Sequence, residues 1–546
     1  MRALALVCLA PALAGCALAQ SARPVTVTTS TYQPGIDVLD YDFRLTLPDT
    51  GALLRADVTV TARRDAGVRA LTLDLVDNLT VRAVQVGGRD VVARREPNRI
   101  VVPLEAARAD TVRERVRYDG VVTDGLVARK DARGRWTWFG DNWPDRARQW
   151  LATVDHPSDK ATVSWTVRAP SRNRVVGNGA LVSSRALEGS DAGLTETRWR
   201  ESHPIPTDVM VIAAGPLASF NVPVSCDTTQ AARCPAQTVY VLPENLEYLP
   251  GPFAAAPRIV ALFEQLVGPF PYEKLSHLQS ATRFGGMENA SAIFYSYELF
   301  PRRRMSEGLI AHETAHQWFG DAVTEREWSD LWLSEGFATY FAALWAKHSR
   351  GDAAFRDEMR RIRAQILADS TVMRRPVHDS AQTNYLDLLN ANSYQKGGYI
   401  LYMLNTRLGD SAFFAGLRAY YARHRDGNAT SDDLRRALES TSGQSLSAFF
   451  EQWLKRPGFA EPSIAWTYDA ARARVRLDVV QDSRFGAYEV PLTVLVRSAT
   501  GDTSRVVVTL PAQRSAVLEL PGRFPARPAS VAFDPDGELL GTVRQP

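Results

Sequence analysis

The sequence predicts an α+β multidomain protein with an N-terminal antiparallel β domain, a mostly helical middle domain and a small C-terminal β-sandwich. Three observations predict it. A chain of 546 residues is longer than a single hydrophobic core supports, which sets the expectation at roughly two to four domains. Short stretches of alternating apolar and polar residues, broken by Gly, Pro, Asp and Asn, fill residues 25–225, and a period of two marks half-buried strands. From about 226 to 458 the apolar positions recur with the period of amphipathic helices, and beyond 459 the alternating stretches return.

Residues 1–20, MRALALVCLAPALAGCALAQ, carry one early positive charge, an apolar run and then small residues. This is the anatomy of an export signal and is too short to read as a spanning helix. Two processing routes fit it equally. Ala17-Leu18-Ala19 before Gln20 suits a cleavage site, and Leu13-Ala14-Gly15-Cys16 resembles the bacterial lipobox, whose cysteine is lipidated. Either route implies a periplasmic or extracellular protein, touching a membrane only through a lipid on Cys16. No later stretch is long and apolar enough to cross a bilayer.

The N-terminal domain (25–225) is read from YDFRLTL, ADVTVTA, NLTVRAVQV and ATVSWTV. Cys226 and Cys234 follow in CDTTQAARC. Outside the cytosol the expectation for this pair is a disulfide closing a short loop, with two free thiols as the alternative. The helical domain (226–458) is read from PRIVALFEQLV, EGLIAHETAHQWF, SDLWLSEGFATYFAALWAKH, DAAFRDEMRRIRAQILADS and QKGGYILYMLNTRLG. KRPGFAEPS punctuates the boundary, and RARVRLDVV, VPLTVLV and SRVVVTL supply strands for the C-terminal domain (459–546). There is no internal repeat and no long low-complexity tract.

A hydrophobic share of 45% and a net charge of +3 describe ordinary globular composition. Without a concentrated Lys/Arg block, a nucleic-acid partner is not expected. The sequence sets no oligomeric state.

The chemistry is concentrated in LIAHETAHQWFGD, residues 309–321. Residues four apart share a helix face, so the rings of His312 and His316 can converge on one ion, and Glu313, one step round, can address a water on it. Zinc held by three protein ligands keeps a fourth position open for that water and lowers its pKa to about 7. Glu335, with eighteen residues between it and His316, lies in a second helix-patterned segment and completes a His-His-Glu set. The competing reading is a solvated helix face. It is opposed by Ile310, Ala311, Ala315, Trp318 and Phe319, which make the helix apolar and its polar cluster costly to bury without a metal. Asp321 and Asp330 are read as cap or surface residues.

GGMENA (285–290), HETAHQWFGD, LWLSEGFATYF and SYQKGGYIL occur in that order, and RARQWLATVDHPSDKATVSWTV lies upstream. Together they resemble the zinc aminopeptidases of the gluzincin clan, peptidase family M1, over roughly residues 35–460. The resemblance implies a thermolysin-like fold for the helical domain, one Zn2+ per chain, and removal of the amino-terminal residue from peptides by zinc-activated water with Glu313 as general base. It implies that Glu288 binds the free α-amino group and that Gly285 and Gly286 let substrate backbone approach an edge strand. Met287 would line the first side-chain pocket, with Asn289 beside it in the substrate-binding motif. Tyr394 would donate to the oxyanion. A thermolysin-type endopeptidase and a catalytically silent peptide-binding protein on the same fold are the alternatives.

Two departures from the family pattern stand out. Where many relatives carry a Gln and a nearby Glu that help hold the substrate amine, this chain reads FGDNWPDRARQW, placing Asp141, Asn142 and Trp143 there. Many relatives also continue into a large helical domain over the active site, so a more open cavity is expected here.

Overall fold

The computed structural model describes residues 32–104, 110–223 and 235–546. The export signal with Cys16 and Ala19, and the Cys226/Cys234 pair, lie outside the described residues.

The N-terminal region is built on an eight-stranded sheet. Its order is Ala180–Ala186, Leu194–Pro206, Lys160–Pro170, Ile36–Thr46, Leu53–Arg64, Thr111–Val121, Thr80–Val86 and Arg89–Asp90. Alternation explains the strands: along Thr111–Val121 every second side chain is buried, with Val112, Val116 and Tyr118 facing the core. One pair departs from the antiparallel expectation. Ile36–Thr46 runs parallel to Lys160–Pro170, which the long intervening chain permits, since parallel neighbours need a crossover connection. The core centres on Trp165, stacked between Phe43 at 4.8 Å and Trp150 at 6.0 Å. A four-stranded antiparallel sheet, Arg174–Gly177, Ile212–Gly215, Trp136–Gly140 and Leu126–Lys130, and a three-stranded one, Ala70–Asp74, Arg99–Pro103 and Arg94–Glu96, complete the region.

A mixed five-stranded sheet follows, in the order Ala218–Asn221, Ala236–Val241, Lys274–Ser280, Ala292–Ser296 and Gly286–Met287. Its first strand comes from before residue 225, so this sheet draws on both sides of that position. The short strand Gly286–Met287 is an edge, paired on one side only with Phe294 and Tyr295. Among the described residues eight α-helices accompany it: α1 (Ala256–Leu266), α2 (Glu307–His316), α3 (Trp332–Arg350), α4 (Asp352–Ala368), α5 (Gly397–Leu408), α6 (Asp410–His424), α7 (Ser431–Ser442) and α8 (Ser447–Lys455).

α2 begins where Ser306 accepts a hydrogen bond from the Leu309 N–H, a side-chain N-cap. It buries Ile310, Ala311 and Ala315. α3 packs against it, anchored by Trp332, Phe337, Tyr340 and Phe341. The Trp345 indole of α3 donates to Glu307 at the start of α2 at 3.0 Å, so the two helices run antiparallel. α3 also meets α5 closely: a Cβ on Gly336 would stand 2.8–2.9 Å from the Gly397 backbone, a separation only glycine tolerates.

Lys160, in the sheet domain, is buried and donates to the carbonyls of Asp321 at 2.8 Å, Ala322 at 2.9 Å and Gly427 at 3.2 Å. This lysine thus fastens the sheet domain to the turn that follows α2. The C-terminal region is two three-stranded antiparallel sheets, Ser463–Asp469/Arg474–Val480/Ser515–Glu519 and Thr503–Leu510/Val490–Arg497/Ser530–Phe533. Their inner faces bury Val475, Leu477, Leu492 and Val494. Arg363 of α4 docks this region by donating to the carbonyls of Leu539 and Gly541.

Candidate metal centre and cleft

α2 and α3 bring three of the expected residues to one point. The Nε2 atoms of His312 and His316 are 3.3 Å apart, and Glu335 Oε2 lies 3.3 Å from the first and 3.4 Å from the second. The centre of such a triangle is about 1.9 Å from each corner, so an ion slightly off its plane reaches about 2.0–2.1 Å, the zinc–nitrogen and zinc–oxygen distance. Glu335 Oε2 is buried without a hydrogen-bond partner, a cost that a bound cation would remove. The donor set fits zinc.

The surroundings orient that set. His316 Nδ1 lies 3.3 Å from the Phe319 carbonyl and 2.9 Å from Ser334 Oγ. Because the carbonyl can only accept, Nδ1 carries the proton and Nε2 is left to ligate. Burial alone would raise the Glu335 carboxyl, but the His316 and His312 imidazoles hold it down at about 2. For Glu313 and Glu288, burial is the leading cause that pushes both carboxyls above the usual range, and the nearby Glu335 carboxylate adds to the rise in each. Two imidazoles facing three carboxylates form a negative pocket suited to a dication.

Glu313 lies under the edge strand: a Cβ on Gly286 would overlap its carboxylate. Glu288, Glu313 and His316 bring their ligand-type atoms within 4.8 Å of one another, so the carboxylate expected to bind an amine is adjacent to the expected base. Tyr394 sits in a π-helical turn, Asn392–Lys396, ahead of α5, a local widening common at functional sites. The close α3–α5 contact sets its ring parallel to that of His312, 6.0 Å away and 7° inclined, with its hydroxyl turned toward Glu335.

These residues line a cleft of about 640 Å³, together with Gly285, Gly286, Met287 and Glu288. Asn289 departs from the expected substrate-binding set. It is fully buried, its side-chain nitrogen and oxygen have no hydrogen-bond partner, and it does not line the cleft. Its carbonyl closes the turn to the Ala292 N–H at 2.8 Å, which is a supporting role.

Of the divergent stretch, only Trp143 reaches the cleft, edge-on to Phe284 at 6.1 Å. Asp141 is paired with Arg146 at 2.8 Å and Arg283 at 3.4 Å. Asn142 is buried, bonded to the carbonyls of Thr207 and Met210 and to the Trp150 indole. Neither takes the place of the family glutamine.

Asp321 and Asp330 are not surface residues. Asp321 is fully buried and accepts from Gln317 Nε2 at 2.8 Å, and Asp330 is buried between His378 and Ser431. Sequence reasoning also passes over Gln317. It donates to the Glu288 carbonyl at 2.6 Å and accepts from the Ser291 N–H at 2.7 Å, tying α2 to the edge-strand loop. Its place immediately after His316 and four before Asp321 is the signal that could have found it.

Residues 254–453 match the peptidase family M1 domain. The chain is 30% identical over 344 residues to aminopeptidase N of Streptomyces lividans, covering 58% of this chain and 37% of that protein. It is 25% identical over 453 residues to probable aminopeptidase 1 of Saccharolobus solfataricus, covering 79% and 55%. The chain therefore spans about half the length of the curated relatives it matches. The M1 zinc metallopeptidase of Deinococcus radiodurans, in a mutant form, superposes with a TM-score of 0.68 at 26% identity, covering 78% of this chain and 95% of that one. Residues 254–453 thus carry a peptidase family M1 domain, the structural likeness to an M1 zinc metallopeptidase continues beyond it, and the metal that these findings indicate is zinc.

Proposed function

We propose that this chain is an exported zinc aminopeptidase that removes single residues from the free amino end of peptides. The observation that carries this reading is the adjacency of Glu288 to Glu313 and His316 within 4.8 Å. A carboxylate at that distance attracts an ammonium by charge-assisted hydrogen bonding, so only the first peptide bond of a chain lies over the base. The relatives named aminopeptidase support the same reading, as does the Tyr-Ser-Ala described as substrate of the Deinococcus enzyme.

His312, His316 and Glu335 would hold the zinc, which when bound supplies Lewis acidity, acidifying the attacking water and polarising the scissile carbonyl. Glu313 takes the proton of that water and delivers it to the leaving amine. Tyr394 donates a hydrogen bond from its hydroxyl to the carbonyl oxygen as negative charge develops there. Glu288 holds the α-ammonium, and the Gly286–Met287 edge accepts the substrate main chain as an added strand.

Unblocked peptides should release amino acids in a chelator-sensitive manner, and their N-acetylated forms should not. Cleavage of the acetylated forms would favour a thermolysin-type endopeptidase, and no cleavage of either would favour a silent peptide-binding protein. For export, mass spectrometry of the mature protein should find a start at Gln20 or a lipidated Cys16. A retained Met1 would exclude both.

A further inference from the structure

The cleft does not end at the metal centre. On α3 its lining residues are Glu335, Thr339, Ala342, Ala346 and Arg350, spaced four, three, four and four apart and therefore on one helix face. Fifteen residues of helix carry this floor about 22 Å from the ligand Glu335 to the far end. The small side chains at 339, 342 and 346 leave the path open between its ends. α4 supplies one wall through Glu358, Arg361 and Gln365, and the start of α2 supplies another through Ser306 and Leu309.

The direction of a bound peptide follows from α2. Glu288 clusters with Glu313 and His316 at the C-terminal end of that helix, and Ser306 and Leu309 line the cleft at its N-terminal end. A chain whose amino end is held at Glu288 passes His312 and then runs toward Arg350.

Charge at that far end is unbalanced. Arg361 is paired with Glu358 on its own helix, whereas Arg350 has no ion-pair or side-chain hydrogen-bond partner among the described residues. Two guanidiniums against one carboxylate leave one positive charge uncompensated inside a cleft continuous with the metal centre. Resting on the aminopeptidase reading, we propose that Arg350, with Arg361 beside it, is a carboxylate-binding subsite that selects peptides long enough to place an acid there. Allowing for the reach of the arginine side chain, the path holds about four or five extended residues beyond the scissile bond, so the preferred substrates are penta- to hexapeptides with a free carboxyl terminus or an acidic residue near it.

The test measures kcat/KM on three alanine-rich hexapeptides: one with a free C-terminal carboxylate, one C-terminal amide, and one amide ending in glutamate. The wild-type protein should cleave the acid about 5- to 10-fold better than the plain amide, the scale expected of one partly solvated guanidinium–carboxylate contact. Arg350→Gln should bring that ratio close to one. Because it is a ratio on one preparation, it does not depend on how much of the variant folds. If the glutamate-ending amide matches the free acid, the subsite accepts either a side-chain or a terminal carboxylate; if it matches the plain amide, only the terminus is recognised. A wild-type ratio of one, or a ratio that Arg350→Gln leaves in place, overturns the subsite. Alanyl-4-nitroanilide, which ends well short of Arg350, separates the two readings: no turnover of it or of any hexapeptide would remove the aminopeptidase reading and this subsite with it, whereas turnover with a ratio of one removes the subsite alone.

Discussion

Replacing Gly286 by alanine tests the geometry of the base without touching a metal ligand or the base itself. The added Cβ would overlap the Glu313 carboxylate and stand 2.8 Å from its Cγ. Carbon atoms pack comfortably at about 3.5–4.0 Å, so Cγ must retreat by roughly 1 Å and the carboxylate beyond it by at least as much. A reacting group misplaced by about 1 Å loses on the order of 100-fold in rate, and kcat on an aminoacyl reporter should fall by that factor. Gly286 does not occupy the left-handed region, so alanine meets no backbone strain, and the displaced atoms end a flexible side chain. Thermal stability should change by no more than about 1 kcal/mol, and zinc measured by plasma spectrometry should stay at wild-type content, because His312, His316 and Glu335 are not the atoms struck. Gly285→Ala is the companion measurement: nothing lies within 4 Å of a Cβ there, so its loss of kcat should be smaller by at least about 10-fold. A Gly286→Ala protein within about threefold of wild-type kcat would refute the placement of Glu313 beneath the edge strand.

Four further outcomes are expected. Glu313→Gln should retain zinc and lose turnover by about 100-fold or more, since only the proton carrier is removed; wild-type rates in that variant would discard the mechanism. Tyr394→Phe should lower kcat by about 100-fold with KM little changed, the cost of one donor to a developing oxyanion, and an unaltered rate would exclude the residue. Gln317→Leu leaves the Ser291 N–H, the Glu288 carbonyl and an Asp321 oxygen without their partner, so urea unfolding should show a loss of about 3–5 kcal/mol, and a loss below about 1 kcal/mol would mean that the network does not hold. His378 donates to Asp330 at 2.9 Å, and that hydrogen bond, opposed by burial, raises its pKa. A raised folded-state pKa stabilises below the unfolded value and is lost as pH rises through the folded one, so His378→Asn should lower the melting temperature more near pH 5.5 than near pH 8.5; an equal drop at both would count against the ionised pair.

The metal set is legible in the sequence because its constraint is local. Two histidines at a four-residue spacing must share a helix face wherever that helix lies. Glu335 is legible only as the first suitable carboxylate on the next helix, and the antiparallel packing of α2 and α3 brings it to 3.3–3.4 Å from both rings. Asp321 and Asp330 show where such reading fails. Asp321 meets Gln317 only four residues away, but Lys160 of the sheet domain, which reaches its carbonyl, and the His378 and Ser431 that enclose Asp330 come from distant segments that nothing nearby along the chain announces. Asn289 is carried by its motif, and its burial away from the cleft depends on the turn to Ala292.

By itself the sequence determined the periodicities that distinguish strand-rich ends from a helical middle, the ligand types and the base, because helix pitch and side-chain chemistry act over a few residues. Only the tertiary structure decided how those pieces face one another: the parallel pairing of Ile36–Thr46 with Lys160–Pro170, the reach of Lys160 to the turn after α2, and the cleft running from Glu335 to Arg350. Contacts between residues far apart in sequence are set by which apolar faces bury one another, and that choice is made by the whole chain at once.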